Sequence, residues 1–180
     1  MSPTLDIRQN HFSLFALPIQ FSVDQQTLSQ RYRELQKEIH PDRFAGKGER
    51  EQRLAAQFAA YVNEAYQGLK SPLTRAEYLL KLADVAVDSQ NETTNDVEFL
   101  MEQMELREAL TGLRAHPNPE SELDIMSLQV DQTLKALLEK FEHNYGAKNF
   151  EVCKACLSKL HFVSKLRQEI EQLEAQLFDD

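Results

Sequence analysis

Residues 28–42, LSQRYRELQKEIHPD, read as an amphipathic helix that runs into a proline. Leu28, Tyr32, Leu35 and Ile39 recur at helical spacing and make one apolar stripe, while Arg33 and Lys37 fall on roughly the opposite side. Asp24 is a good N-cap for this helix. Pro41 biases His40 away from the helical backbone region and removes a donor, so the helix is predicted to end at Ile39 or His40. His40 and Asp42 are then left on a loop. A second helical pattern begins near Gly48 and runs through Leu54, Phe58, Tyr61, Val62, Ala65 and Leu69, long enough to pack antiparallel against the first. The expected unit is a helical hairpin whose tip presents a constrained imidazole and carboxylate.

The remaining composition points the same way. With only 5 Gly and no Trp in 180 residues, long helical periods and few β-branched runs, the chain reads as all-α. At 42% hydrophobic it can bury a core in one domain or two small ones. No stretch approaches about 20 apolar residues, and the N-terminus carries no basic-then-apolar signal, so a soluble cytoplasmic protein with no membrane partner is expected. The net charge of −9 is unevenly placed. Residues 25–50 carry six Lys/Arg against four Asp/Glu, whereas residues 95–180 carry nine against seventeen. A small basic surplus on the hairpin and an acidic surplus beyond it disfavour nucleic acid and suit two different protein partners.

A short helix is expected from Pro72 to about Leu82, with Ala76, Leu79, Leu80 and Leu82 as its apolar contacts. The polar stretch from Asp88 to Asn95 has little to bury and marks a domain boundary. The predicted division is an N-terminal domain over 1–83, a linker over 84–95 and a C-terminal domain over 96–180. Three helices follow the linker, over about 96–115, 121–145 and 149–178, broken at His116-Pro117-Asn118-Pro119 and at Tyr145-Gly146-Ala147-Lys148-Asn149. Short loops between them imply an antiparallel three-helix bundle. Val130, Leu134, Leu137 and Phe141 supply the middle helix with its buried stripe; Leu160, Val163, Leu166, Ile170, Leu173 and Leu177 do so for the last.

The first helix of this bundle has two apolar sides. At about 100° per residue, Phe99, Leu106, Leu110 and Leu113 cluster as a core face requires, and Val97, Leu100, Met101 and Met104 cluster roughly opposite with Glu105 and Glu108. A three-helix bundle buries only one of these faces. The other must pack on the N-terminal domain or serve as a docking patch, and unpaired carboxylates weigh against deep burial. Cys153 and Cys156 form a C-x-x-C inside a helical pattern, without a preceding strand or further ligands, and read as small, partly buried helix residues. The chain offers no nucleophile with a paired base, no glycine-rich phosphate loop and no metal cluster, so it is not expected to be an enzyme.

The basic-faced helix, His40-Pro41-Asp42 and the second helix together resemble the J domain, the module by which co-chaperones engage DnaK-type chaperones. His11-Phe12-Ser13-Leu14-Phe15-Ala16-Leu17-Pro18 resembles its opening helix. Asn63-Glu64-Ala65-Tyr66, Leu69, Pro72 and Arg75-Ala76-Glu77-Tyr78 resemble its end. Joined to that domain, the run from Glu98 to Glu108, supported by Lys159-Leu160-His161-Phe162-Val163 and Arg167, resembles the HscB-type co-chaperones of iron–sulfur cluster assembly. The resemblance is to the bacterial type, which lacks an N-terminal cysteine-rich zinc segment.

The resemblance implies two partners and no resident cofactor or metal. One is a DnaK-type (HscA-like) chaperone, whose ATPase the J domain would stimulate through His40, Pro41 and Asp42, with Arg33, Lys37 and Arg43 meeting an acidic surface. The other is the iron–sulfur cluster scaffold protein (IscU-like), bound through Leu100, Met101, Met104, Glu105, Glu108 and Phe162 and delivered to the chaperone. A further acidic contact expected one turn beyond Glu108 falls on Gly112. A helix stop with an Asx-type turn would explain Pro41 and Asp42 but gives no reason for His40. Arg33 and Lys37 could equally be solvated charges, and Phe162, next to the core position Val163, could belong to the core. A general J-type co-chaperone for unfolded clients is the alternative function.

Overall fold

The computed structural model describes residues 7–87, 94–113 and 116–178. Seven α-helices and one 3-10 turn, with no strand, appear among the described residues, so the fold is all-α. The chain divides after Ala83 into two compact units. No helix among the described residues is long and apolar enough to cross a membrane.

The first unit is built on α3, Glu49–Lys70, against which α1 (His11–Leu14), α2 (Gln25–Glu38) and α4 (Pro72–Leu82) all pack. Asp24 caps α2 by accepting from the Gln26 N–H, and Gly48 stands at the N-cap of α3 as the backbone pattern requires. Ala55, Phe58, Val62, Ala65 and Leu69 of α3 are buried with Leu28 and Ile39 of the α2 segment, Phe12 of α1, and Ala76, Leu79 and Leu80 of α4. Full burial of a large apolar side chain contributes about 1.5–3 kcal/mol, so these layers, rather than helix propensity, hold the hairpin together. Leu54 differs from expectation. It lies on the stripe but at the tip end of α3, outside the buried layer that begins at Ala55 and Phe58, and it is exposed.

A polar seam that the stripes do not foretell locks α1 down. The His11 backbone N–H donates to the Tyr78 hydroxyl at 2.9 Å, the Tyr61 hydroxyl donates to the Gln9 carbonyl, and the His11 ring stacks on Tyr78 with centroids 3.9 Å apart. Gly68 leaves room for this seat, because a Cβ there would stand 3.2 Å from His11 Nδ1 and the ring would have to give by a few tenths of an ångström. Burial holds the His11 imidazole below its ordinary pKa and raises that of Tyr78. Arg75 is likewise buried, donating to the Leu69 carbonyl at 2.7 Å and lying over the Phe21 ring.

The second unit comprises α5 (Val97–Gly112), α6 (Pro119–Gly146) and α7 (Phe150–Phe178). The long helices α6 and α7 pair along their length and α5 packs on α7. Pro119 opens α6, two residues before the predicted start, because proline suits the first helical turn. Residues 114 and 115, the predicted end of α5, lie outside the described residues, as do 88–93 of the predicted linker. Phe99, Leu110 and Leu113 of α5, Leu123, Met126 and Val130 of α6, and Val163, Leu166, Ile170 and Leu173 of α7 form one core, with Leu106, Leu134, Leu137, Phe162 and Leu177 partly buried against it. Cys153 and Cys156 are fully buried rather than partly so, since i and i+3 on α7 both face α6.

Candidate functional sites

The hairpin tip is set by local capping. Helix α2 ends with the Ile39 N–H on the Leu35 carbonyl at 3.0 Å, and His40 turns extended (φ −56°, ψ 134°), as a residue before proline must. Pro41, Asp42 and Arg43 then form one turn of 3-10 helix instead of the expected open loop, closed by Arg43 N–H to His40 O and Phe44 N–H to Pro41 O, both 2.9 Å. His40 is the N-cap of this turn. Its Nδ1 accepts from the Asp42 N–H at 3.4 Å and also lies 3.4 Å from Asp42 Oδ2. An unprotonated Nδ1 serves the cap and a protonated one serves the carboxylate, so the ring links to either atom but not to both. The structure thus gives His40 a local role that the sequence did not show.

Both groups remain available to a partner. The Asp42 side chain is 90% exposed and that of His40 59%. Arg43 reaches back to the Lys37 carbonyl at 3.4 Å, a cation at the negative end of α2. Gln52 on α3 donates to the Lys47 carbonyl at 3.0 Å and to that of Ala45 at 3.4 Å, tying the loop to the second helix. Lys37 lies one helical turn beyond Arg33 on the exposed side of α2, and Arg33 Nε bonds to the Ser29 carbonyl. Arg31 is paired with Glu34 at 3.1 Å and is less free to meet an acidic surface. The arrangement is an exposed carboxylate and imidazole on a closed 3-10 turn, with Arg43 beside them in the chain and Lys37 and Arg33 on the preceding helix, suited to binding.

In the second unit, α5 presents the two faces expected of it. Val97, Met101 and Met104 are 67%, 58% and 71% exposed, Leu100 is half-buried, and Glu105 and Glu108 are exposed. Gly112, where a further acid was expected, is exposed with open space around it. Asp96 fixes the start of the helix by accepting from the Phe99 N–H at 3.1 Å and pairing with Lys159 of α7, whose ammonium lies 5.0 Å from the Phe99 ring centroid. The Lys159 hydrogen bond, and then that from Phe99, hold the Asp96 carboxyl below its usual pKa. Phe162 is partly buried edge-on against Phe99, with centroids 6.2 Å apart. It therefore packs against the core while remaining partly exposed. Gln103 of α5 is 3% exposed, a buried polar residue that apolar periodicity could not flag.

Burial pushes the Cys153 thiol up to about 11 and raises that of Cys156. No group of three metal-ligating side chains occurs among the described residues. The candidate sites are two exposed surfaces, one in each unit.

Comparison with known proteins covers both units. Residues 15–78 match the family described as DnaJ domain, and residues 95–171 match the one described as HSCB C-terminal oligomerisation domain. The chain is 44% identical to the co-chaperone protein HscB homolog of Photobacterium profundum over 94% of its own length and 99% of the relative's. It is 37% identical to the co-chaperone HscB of Proteus mirabilis over 94% and 98%. Among solved structures, the chaperone HscB of Vibrio cholerae superposes with a TM-score of 0.87 at 41% identity, covering 94% of this chain and all of that one. Human co-chaperone HscB does so at 0.84 and 28%, covering 97% and 84%.

Proposed function

The chain belongs to the HscB family of J-domain co-chaperones, and on that premise we propose that it binds an iron–sulfur cluster scaffold protein (IscU-like) and delivers it to a specialised DnaK-type (HscA-like) chaperone in the cytoplasm. That an Hsp70-type chaperone is its partner follows from the family and its J domain. The finer reading has the tip stimulate the partner's ATPase. Asp42 accepts a charge-assisted hydrogen bond from a partner arginine, His40 adds a second contact, and the cations Arg33, Lys37 and Arg43 speed encounter. Pro41 and the closed 3-10 turn hold both groups in place with little entropy left to lose on binding. The tip acts by binding a state of the chaperone that hydrolyses ATP, so the chain itself need make no bond.

The single observation that carries the scaffold reading is the exposed Val97–Met101–Met104 side of a helix whose opposite side is already in the core. A narrow Leu/Met surface bounded by Glu105 and Glu108, with Phe162 at its rim, suits one folded partner better than a general handover of unfolded clients. Holding both partners on one molecule raises their effective concentration, which gives a non-catalytic adaptor its purpose. Single-turnover ATP hydrolysis by the cognate chaperone, with and without scaffold, tests this. Asp42→Asn should lose stimulation under both conditions, whereas Met101→Ala/Met104→Ala should lose only the synergy with scaffold. If the Met variant keeps the synergy, the scaffold assignment fails; if Asp42→Asn keeps stimulation, the tip assignment fails.

A further inference from the structure

Leu100 and Phe162 must lie side by side for α5 and α7 to present one surface, and beyond the core that these helices share they are tied by polar contacts across the seam between them. Near the start of α5 the Asp96–Lys159 pair crosses it. Beside Phe162 the crossing is made by Arg107. Its Nη2 donates to the Phe162 carbonyl at 3.4 Å, its Nε lies 3.3 Å from Glu169 Oε2, and its Nη1 reaches the Gln103 carbonyl of its own helix at 3.5 Å. Seven residues after Leu100, Arg107 falls about 20° from it around α5, so it occupies the same flank. The side chains of Arg107 and Glu169 are 31% and 34% exposed, which leaves the pair less screened than one in open water. The guanidinium thus engages a carbonyl of α7 and a carboxylate about two turns further along the same helix, a forked reach that a lysine would not reproduce.

We propose that Arg107, oriented by Glu169, is a positioning residue that sets Phe162 beside Leu100, so that the iron–sulfur scaffold protein meets one continuous face made by two helices. The inference rests on the docking reading above and adds to it a residue that does not itself touch the partner. A pair that merely stabilised the bundle would weaken scaffold binding equally whichever face residue was changed with it. A positioning pair is coupled to Phe162 in particular.

The test is a set of double-mutant cycles on the 180-residue chain, titrated calorimetrically with the scaffold protein free of its cluster. Arg107→Gln is expected to weaken binding about fivefold, well within the coupling range of neighbouring side chains, and to add less than about twofold once Phe162→Ala is present. Combined with Met101→Ala, on the far side of the α5 face, its fivefold loss should multiply in full. Glu169→Gln, which perturbs the seam less, should show the same pattern at smaller size, and it decides the matter if circular dichroism shows that Arg107→Gln has not folded. The positioning role is overturned if the losses multiply equally with Phe162→Ala and Met101→Ala, or if neither seam variant changes affinity. If Phe162→Ala and Met101→Ala themselves leave affinity unchanged, the docking reading fails and the positioning role with it.

Discussion

On the function proposed above the hairpin tip and the α5 face both bind proteins, yet they are made in opposite ways. The tip is three consecutive residues held mainly by bonds to near neighbours in the chain, from His40 to Asp42 and from Arg43 to Lys37, with Gln52 of α3 tying the loop behind it. The α5 face is apolar, gathers residues from two helices far apart in the chain, and owes its shape to a core of Phe99, Leu166 and their neighbours. A local surface should survive damage to packing that a composite surface does not. It should also be far more sensitive to one polar atom.

The largest expected effect comes from the core beneath the composite face. Leu166 is fully buried on α7 among residues of α5 and α6, and Leu166→Ala should destabilise the second unit by about 3 kcal/mol through lost transfer energy and the cavity left behind. Urea titration followed by circular dichroism measures the loss. Scaffold affinity should fall with it, while ATPase stimulation in the absence of scaffold should not change. Loss of that stimulation would show that the tip is not the self-sufficient element its local bonds suggest.

A smaller but sharper effect is expected at the tip. His40 both caps the 3-10 turn and offers an imidazole to the partner, and His40→Asn separates these roles because asparagine is an excellent N-cap. Stimulation should fall by about tenfold or more, as when one side of an interfacial hydrogen bond is removed from a pair. Full activity in His40→Asn would reduce His40 to a capping residue.

What the sequence made legible follows this same division. His40-Pro41-Asp42, the stripe through Leu28 and Ile39 and the two-sided α5 helix could be read because each is a pattern within one element. The 3-10 turn was not, since its closing bonds depend on a side-chain cap and not on periodicity. Arg107 with Glu169 and Phe162, Asp96 with Lys159, and His11 with Tyr78 and Gly68 were also invisible, because each joins polar residues on separate helices. Leu54 shows the converse, a stripe position whose burial depends on whether a neighbour reaches it. The assignment of Leu100, Met104 and Phe162 to a scaffold partner came from family resemblance, and the exposed side of α5 is the structural observation that supports it.

The two units should also differ in their response to acid. Burial depresses the His11 pKa below 6.5, with Glu64 opposing and Lys81 adding to the shift, so the unfolded chain takes up a proton first as pH falls. The stability that neutral His11 permits is complete above pH 6.5 and is lost as pH drops from there through its lower folded value. Asp96 behaves in the same sense but lower, its contribution present above the ordinary 3.8 and lost only beneath it as the Lys159-bonded carboxylate protonates. Between pH 7.5 and 5.5, pulsed hydrogen exchange across a urea titration should therefore show a lower midpoint for α3 peptides and less change for those of α7. His11→Phe should flatten the α3 response, and an unflattened slope would assign it to other groups.

The smallest functional effect is expected where the sequence offered the most tempting chemistry. Cys153 and Cys156 sit one turn apart on α7, both buried, with the Cys153 thiol donating to the Phe141 carbonyl at 3.8 Å. Desolvation, and next the neighbouring thiol, push Cys153 up to about 11, so only on the order of one molecule in several thousand carries the reactive thiolate near pH 7.5. Redox exchange and metal binding both need that thiolate. Iodoacetamide should consequently label the pair only after unfolding. Cys153→Ala/Cys156→Ala should cost about 1–2 kcal/mol of stability as small buried groups are trimmed, yet stimulate the chaperone and bind the scaffold as the natural chain does. Rapid labelling of the folded protein, or loss of either activity in the double variant, would add a third functional site to the two surfaces and remove the ground for treating α7 as scaffolding.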